Sequence, residues 1–266
     1  MDNIRVLVSE ELSIIDNRLS AQIECNNNIY KSLNDFISCG SKRIRSLITL
    51  LYLKANNAVV NDEVITLLTA VELIHNASLL HDDVVDNSHE RRGAQTLYDK
   101  YDSKISVLSG DYVLSVAVEN LLNLQNFNIL HLLLKTTKQM SNAEINQYLA
   151  RNNDMTEEQY LEIIRGKTAS LFSACLNSSA LLTNLDSVTA NDFGTKFGII
   201  FQINNDLEEL SAKNDIANGV KTIVNTLGIE KTLALKDNYK EELRDILKYF
   251  PANKYRQGIE DLIKLL

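Results

Sequence analysis

A single proline, Pro251, stands in 266 residues, and only nine glycines interrupt the remainder. Proline removes a backbone donor and glycine loses the most freedom on folding, so a long chain nearly free of both has few places where a helix must stop. Its apolar residues, 45% of the chain, recur at helical spacing, as in Ile4, Leu7, Val8, Leu12, Ile15, Leu19 and Ile23, a stripe running through Asn3 to Leu33. The expectation is an all-α, single-domain bundle over residues 1–266, of roughly ten or more helices, with enough chain to bury a sizeable core.

Composition also excludes. A net charge of −8 argues against a nucleic-acid partner. The longest uncharged run, Thr168 to Leu185, is broken by Asn177, Asn184 and several hydroxyls, so it reads as a buried helix and no transmembrane segment is expected. No basic segment followed by an apolar core opens the chain, and Cys25, Cys39 and Cys175 lack metal-ligand spacing; both point to a cytoplasmic protein with reduced thiols and no zinc.

Chemistry concentrates in His75 to Thr96, HNASLLHDDVVDNSHERRGAQT. Residues four apart share a helix face, so the carboxylates of Asp82 and Asp86 project side by side, with Asp83 next to them. Like charges at that spacing repel, and the arrangement makes best sense if divalent cations sit between the carboxylates and an anion lies beyond. On an ordinary acidic helix the same pattern is a solvated face. Here Arg91 and Arg92 follow within ten residues, and Gly93 supplies a bend that folds both guanidinium forks back. Acid for a metal and base for a diphosphate thus lie together.

This stretch resembles the first aspartate-rich motif of the trans-isoprenyl (polyprenyl) diphosphate synthases, and further stretches of the chain resemble other motifs of that family. Gly40-Ser41-Lys42-Arg43-Ile44-Arg45 resembles its G-G-K-R-x-R motif, with Ser41 for the second Gly and Ser46 for the usual Pro. By itself such a run is a solvated basic surface or an anion site at a helix N-terminus. The resemblance implies that Lys42, Arg45, His75 and Arg92 hold isopentenyl diphosphate and that Arg91 faces the allylic diphosphate. Asp99 to Leu122 carries L-S-G-D-Y-V-L-S, where Gly110 and Asp111 are expected to open a helix of the tunnel wall; Glu144 and Gln147 would face the cavity. Thr156 is expected to cap the next helix.

Gly166-Lys167-Thr168 resembles the family's G-K-T, implying that Lys167 lies on the allylic diphosphate and that Thr168 helps stabilise the carbocation. Without the upstream glycine loop it is not a nucleotide P-loop. Phe201-Gln202-Ile203-Asn204-Asn205-Asp206-Leu207-Glu208-Glu209 resembles F-Q-I-x-D-D-x-x-D, with Gln202 catalytic and Asn205, Asp206 and Glu209 in the metal positions. Asn205 and Glu209 replace aspartates: the amide keeps an oxygen but loses the charge, and Glu209 carries its charge one methylene further out. The following loop is shortened, so either Lys213 or Lys221 would close over the allylic site.

The resemblance implies an isoprenoid synthase-like bundle around a central cavity and ionisation, condensation and elimination assisted by Mg²⁺, three ions per site. The expected partners are isopentenyl diphosphate and an allylic diphosphate (geranyl, farnesyl or geranylgeranyl), in a homodimer or a heterodimer. Ala77 and Ser78, small residues one turn below Asp82, resemble the pattern of medium- to long-chain synthases, where nothing bulky blocks a growing tail. The weakened second motif keeps open a weakly active or non-catalytic partner subunit, and its Asn-Asp-Leu keeps open a class I terpene cyclase.

Overall fold

The computed structural model describes residues 1–23, 26–38, 41–151, 153–212 and 222–266, with backbone alone for 209–212. The all-α expectation holds. In chain order the helices are α1 (Asp2–Arg5), a 3-10 turn (Val6–Val8), α2 (Ser9–Ala21), α3 (Asn28–Ser38), α4 (Ile44–Ala55) and α5 (Asp62–Val85). Next come α6 (Leu97–Lys100), α7 (Ser103–Asn123), α8 (Phe127–Leu149), α9 (Glu157–Ile164), a π-helical turn (Arg165–Ala169), α10 (Ser170–Leu182) and α11 (Ser187–Ala212). The described chain ends with α12 (Ile223–Leu227), α13 (Ile229–Leu247) and α14 (Lys254–Leu265). Among the described residues the only strands are β1 (Glu90–Arg91) and β2 (Ala94–Gln95), a hairpin between α5 and α6.

Two boundaries differ from the sequence reading. The amino-terminal stripe is not one helix, because Asn27 Oδ1 accepts from the backbone N–H groups of Ile29 (2.9 Å) and Tyr30 (3.2 Å) and starts α3 afresh. Nor does Gly110 open a helix. It lies in the middle of α7, which begins where Asp102 Oδ1 accepts from Ile105 N at 2.9 Å. A Cβ at Gly110 would stand 2.3 Å from His81 Nε2, so the glycine serves a close approach of α7 to α5.

The chain forms two compact units. The first comprises Val8–Leu50 and Val60–Leu130. Its centre is α5, whose cap Asn61 accepts from Val64 N at 3.1 Å, packed on the small residues Ser106, Ser109, Gly110, Val113 and Ala117 of α7. Ser106 Oγ donates to the Leu80 carbonyl at 2.9 Å, which fixes the height of α7 against the turn preceding Asp82. On α2, Leu12, Ile15 and Leu19 are buried, and Arg18 reaches Thr66 at 2.9 Å and pairs with Asp62.

The second unit comprises Met1–Leu7, Leu51–Val59 and His131–Leu266. There α10 packs on α11 through Phe172, whose ring centroid lies 5.4 Å from that of Phe197 and 5.5 Å from that of Phe201. Tyr160, Ile164, Ile199, Ile203 and Ile223 form a further buried cluster beside it. Thr156 caps α9 as expected, in a reciprocal box with Gln159.

The expectation that no segment is long and apolar enough for a membrane needs correction, since α5 and α7 both pass by length and composition. In α5 the apolar window is 72% buried within the chain; in α7 only 33% is. Packing accounts for the apolarity of α5 and leaves that of α7 to be explained.

Because α5 carries the acidic motif, its cap is the cheapest place to test the link between helix ends and stability. Asn61→Ala is expected to lower unfolding stability by about 1 kcal/mol. Urea melts with an unchanged midpoint would contradict that assignment.

Candidate active site

In the first unit, α5 delivers the acidic motif at its carboxyl end. Asp86 is the helix cap, its N–H donating to the Asp82 carbonyl at 2.8 Å, so the two residues stand one turn apart and both are partly open to solvent. Asp83 is different. Its side chain is fully buried, and Oδ1 accepts from Arg91 Nε at 2.6 Å. Burial raises the Asp83 carboxyl above the usual aspartate range, against the opposing pull of the Arg91 guanidinium. The structure therefore separates Asp83, which is buried on an arginine, from Asp82 and Asp86, which are partly exposed.

The arginines come from the hairpin. Arg91 pairs with Ala94 across it, while Arg92 and Gly93 form the two-residue connection with φ of 55° and 77°. Positive φ at both positions is the geometry that matches strand twist in tight hairpins. Arg91 is thereby turned back to Asp83 and Arg92 is left exposed. A cavity of about 250 Å³ opens beside them, bounded by Arg91, Arg92, Lys100, Ser32, Asp35 and Phe36.

His75 sits two turns before Asp82 on α5. Burial, and then the charges of Arg45, Arg92, Arg91 and Arg43, hold its imidazole well below the usual histidine range. The shift favours the neutral ring, and four cations converge on its surroundings. The structure so brings together Arg45, His75, Arg91 and Arg92 of the expected set; Arg45 is buried, whereas Lys42 is exposed. Ala77 is buried, and Ser78, partly buried, donates its Oγ to the His75 carbonyl at 2.8 Å.

The second unit has its own cluster. Lys167 and Thr168 fall in the π-helical turn, a distortion that recurs at functional sites. Lys167 Nζ donates to Gln147 Oε1 at 2.7 Å and pairs with Glu144, which brings the two α8 residues singled out in the sequence onto the family lysine. Thr168 Oγ1 donates to Gln202 Oε1 at 2.8 Å, and Gln202 Nε2 donates to Asp206 Oδ1 at 2.8 Å. Asp206 Oδ2 accepts from the Tyr160 hydroxyl at 2.5 Å and from Ile223 N at 3.0 Å. Asp206 is buried and serves these neighbours, while Asn205 beside it is partly open. The Glu209 side chain, Lys213 and Lys221 lie outside the described residues.

Among the described residues no three His, Cys, Asp or Glu side chains are gathered to hold an ion by themselves. That suits Mg²⁺, which keeps much of its water and is commonly bound by one or two carboxylates together with substrate phosphates. Asp82 and Asp86 supply hard oxygen donors in that form, so the residues present fit the ion.

Sequence reasoning missed several working residues. Glu72 accepts from Ser46 Oγ at 2.7 Å in the buried wall of the first unit, Tyr160 anchors Asp206, and the buried Lys236 donates to Asn204 Oδ1 at 2.8 Å. Only Glu72 left a signal, as a lone acid within the apolar run Val64 to Ile74.

Fold and clusters define an all-α protein with a partly exposed carboxylate pair at the end of α5 and arginines gathered about His75. A family model described as polyprenyl synthetase matches residues 26–262, and the chain belongs to that family. It is 31% identical over 220 residues to an octaprenyl diphosphate synthase of Escherichia coli (strain K12), covering 81% of this chain and 68% of that one. Its structure is similar to that of a decaprenyl diphosphate synthase from Rhodobacter capsulatus, with a TM-score of 0.88 and 25% identity over 99% of this chain and 97% of that one. A polyprenyl synthase from Caulobacter crescentus CB15, complexed with calcium and isoprenyl diphosphate, is similar at a TM-score of 0.85 and 25% identity, covering 98% of this chain and 95% of that one. The chain is a prenyltransferase.

The His75 environment gives a signed pH dependence. Its folded pKa lies below the unfolded value of about 6.5, so the neutral ring's contribution is present above that pH and is lost as pH falls toward the depressed folded value. In His75→Gln the acid-side loss of unfolding stability below about pH 6.5 is expected to be shallower than in the wild type. Parallel pH–stability curves would contradict this.

Proposed function

We propose that this chain catalyses the Mg²⁺-dependent head-to-tail condensation of isopentenyl diphosphate onto an allylic diphosphate, giving a medium- to long-chain all-trans polyprenyl diphosphate. The observation that carries the reading is the first unit's pairing of two open acids, Asp82 and Asp86, with Arg45, Arg91 and Arg92 gathered about a neutral His75. The octaprenyl and decaprenyl synthases among the relatives support the product class.

The reaction breaks the allylic C–O bond, with the electron pair leaving on diphosphate. The isopentenyl alkene then attacks the carbocation, a C–C bond forms, and loss of a proton restores a double bond. Mg²⁺, when bound, neutralises charge on the departing diphosphate, a Lewis-acid role. Asp82 and Asp86 would hold it in the first motif, and Asn205 with Glu209 in the second. Arg45, Arg92, Lys42 and His75 bind and orient isopentenyl diphosphate, with the neutral imidazole able to donate to a phosphate oxygen. Arg91 and Lys167 answer the allylic diphosphate. Thr168 and Gln202, joined at 2.8 Å, place oxygen dipoles for the developing carbocation.

The chain is also proposed to work as a homodimer. Leu108 and Leu122 of α7 are 63% and 51% exposed, and a second copy laid along α7 accounts for an apolar helix that the chain itself leaves largely uncovered.

Purified protein incubated with labelled isopentenyl diphosphate, Mg²⁺ and each allylic primer is expected to yield elongated prenyl diphosphates. No turnover without a partner protein, or a hydrocarbon from primer alone, would overturn the reading. Asn205→Asp restores a charged oxygen donor and is expected to lower the Mg²⁺ concentration for half-maximal rate severalfold. An unchanged requirement in a rate-versus-Mg²⁺ titration would remove Asn205 from the metal set.

A further inference from the structure

Lys42 and Arg45 can receive one diphosphate only if the bend between them is fixed. Arg43 makes that bend, with φ of 46°, a left-handed backbone that a bulky residue adopts only when its surroundings overdetermine it. Its side chain is just 2% exposed, although arginine is normally a surface residue. The surroundings supply three holds. Arg43 Nε donates to Asp16 Oδ1 of α2 at 2.8 Å, Nη2 donates to the Ile37 carbonyl at the end of α3 at 2.7 Å, and Nη1 lies 3.7 Å from Glu72 Oε2 of α5. The last contact is electrostatic, since Nη1 makes no hydrogen bond.

Glu72 reaches further. Its other oxygen, Oε1, accepts from Ser46 Oγ at 2.7 Å and Ser46 N at 3.3 Å, within the first turn of α4. Arg43 and Ser46 flank the segment that carries Arg45, so one buried carboxylate constrains the chain on both sides of that residue. Ser46 stands where the family usually has proline, which offers neither the hydroxyl nor the N–H; this chain's Glu72 clamp therefore depends on a residue of its own.

We propose that Arg43 is a positioning residue for isopentenyl diphosphate: held by Asp16, the Ile37 carbonyl and Glu72, it sets the relative placement of Lys42 and Arg45 without touching the substrate. The proposal rests on the prenyl synthase reading above. It explains why a cation in a substrate-binding run is turned away from solvent. A planar guanidinium reaches two hydrogen-bond acceptors and faces a third group's charge in a fixed fork, which an ammonium cannot do, so Arg43→Lys is a discriminating change even though charge is kept.

The test compares wild type, Arg43→Lys and Glu72→Gln by calorimetric binding of isopentenyl diphosphate alone and by steady-state kinetics with both substrates, with far-UV circular dichroism at the assay temperature. Glu72→Gln keeps an acceptor for Ser46 but removes the charge facing Arg43. Positioning predicts that Kd and KM for isopentenyl diphosphate rise by on the order of tenfold in Arg43→Lys and by less in Glu72→Gln, while KM for the allylic primer stays within about twofold. Equal weakening of both substrates, unchanged isopentenyl diphosphate binding in a folded Arg43→Lys, or failure of both variants to fold would overturn the proposal. If the wild type binds and condenses both substrates, such a result removes the role of Arg43 alone. Wild-type protein that binds neither substrate would overturn the underlying reading, and this inference with it.

Discussion

Cations gathered on one surface repel one another, and the first unit sets two carboxylates taken out of water against them. Glu72 faces Arg43, and Asp83 holds Arg91 at 2.6 Å. Burying such pairs adds little net stability by itself, but removing one partner leaves an uncompensated charge at a cost of about 3–5 kcal/mol. The pairs therefore act as geometric restraints. Each of these two arginines is pinned at a cost that makes other placements worse.

The two acidic motifs share a division of labour. In each, the second residue of the adjacent pair is a buried aspartate bonded to the scaffold: Asp83 to Arg91, and Asp206 to Tyr160, Gln202 and Ile223 N. The neighbouring positions, Asp82 and Asp86 in one motif and Asn205 in the other, stay partly open to solvent. The loss of an aspartate at Asn205 thus falls on an open position and leaves the scaffold contact intact. The Ile223 N–H, donating to Asp206 Oδ2, also ties the second motif to the start of α12, so its acid organises the chain beyond the shortened loop.

Much of this was legible in the sequence. The dearth of proline and glycine announced an all-α chain, the spacing of Asp82 and Asp86 placed both on one turn, and Thr156 marked the start of α9. What escaped were partners distant in sequence. Tyr160 and Asp206 are 46 residues apart, and Glu72 and Ser46 are 26 apart; helical periodicity carries no information about such pairs. The hairpin escaped because an arginine, not asparagine or glycine, takes the first left-handed position of its turn. Gly110 misled for a related reason: the residue that requires it, His81, lies on another helix. Family motifs singled out candidate residues, and the structure adds the distant partners that hold them.

The most direct test of the account is Mg²⁺-dependent binding of a non-hydrolysable thio-substituted allylic diphosphate, measured by calorimetry in wild type and in the Asp82→Asn/Asp86→Asn double variant. If the open acids hold the ions that grip the departing diphosphate, the wild type binds the analogue far more tightly with Mg²⁺ than without. The double variant should lose that increment yet still bind isopentenyl diphosphate through its arginines. Equal Mg²⁺ enhancement in both proteins would contradict the central claim.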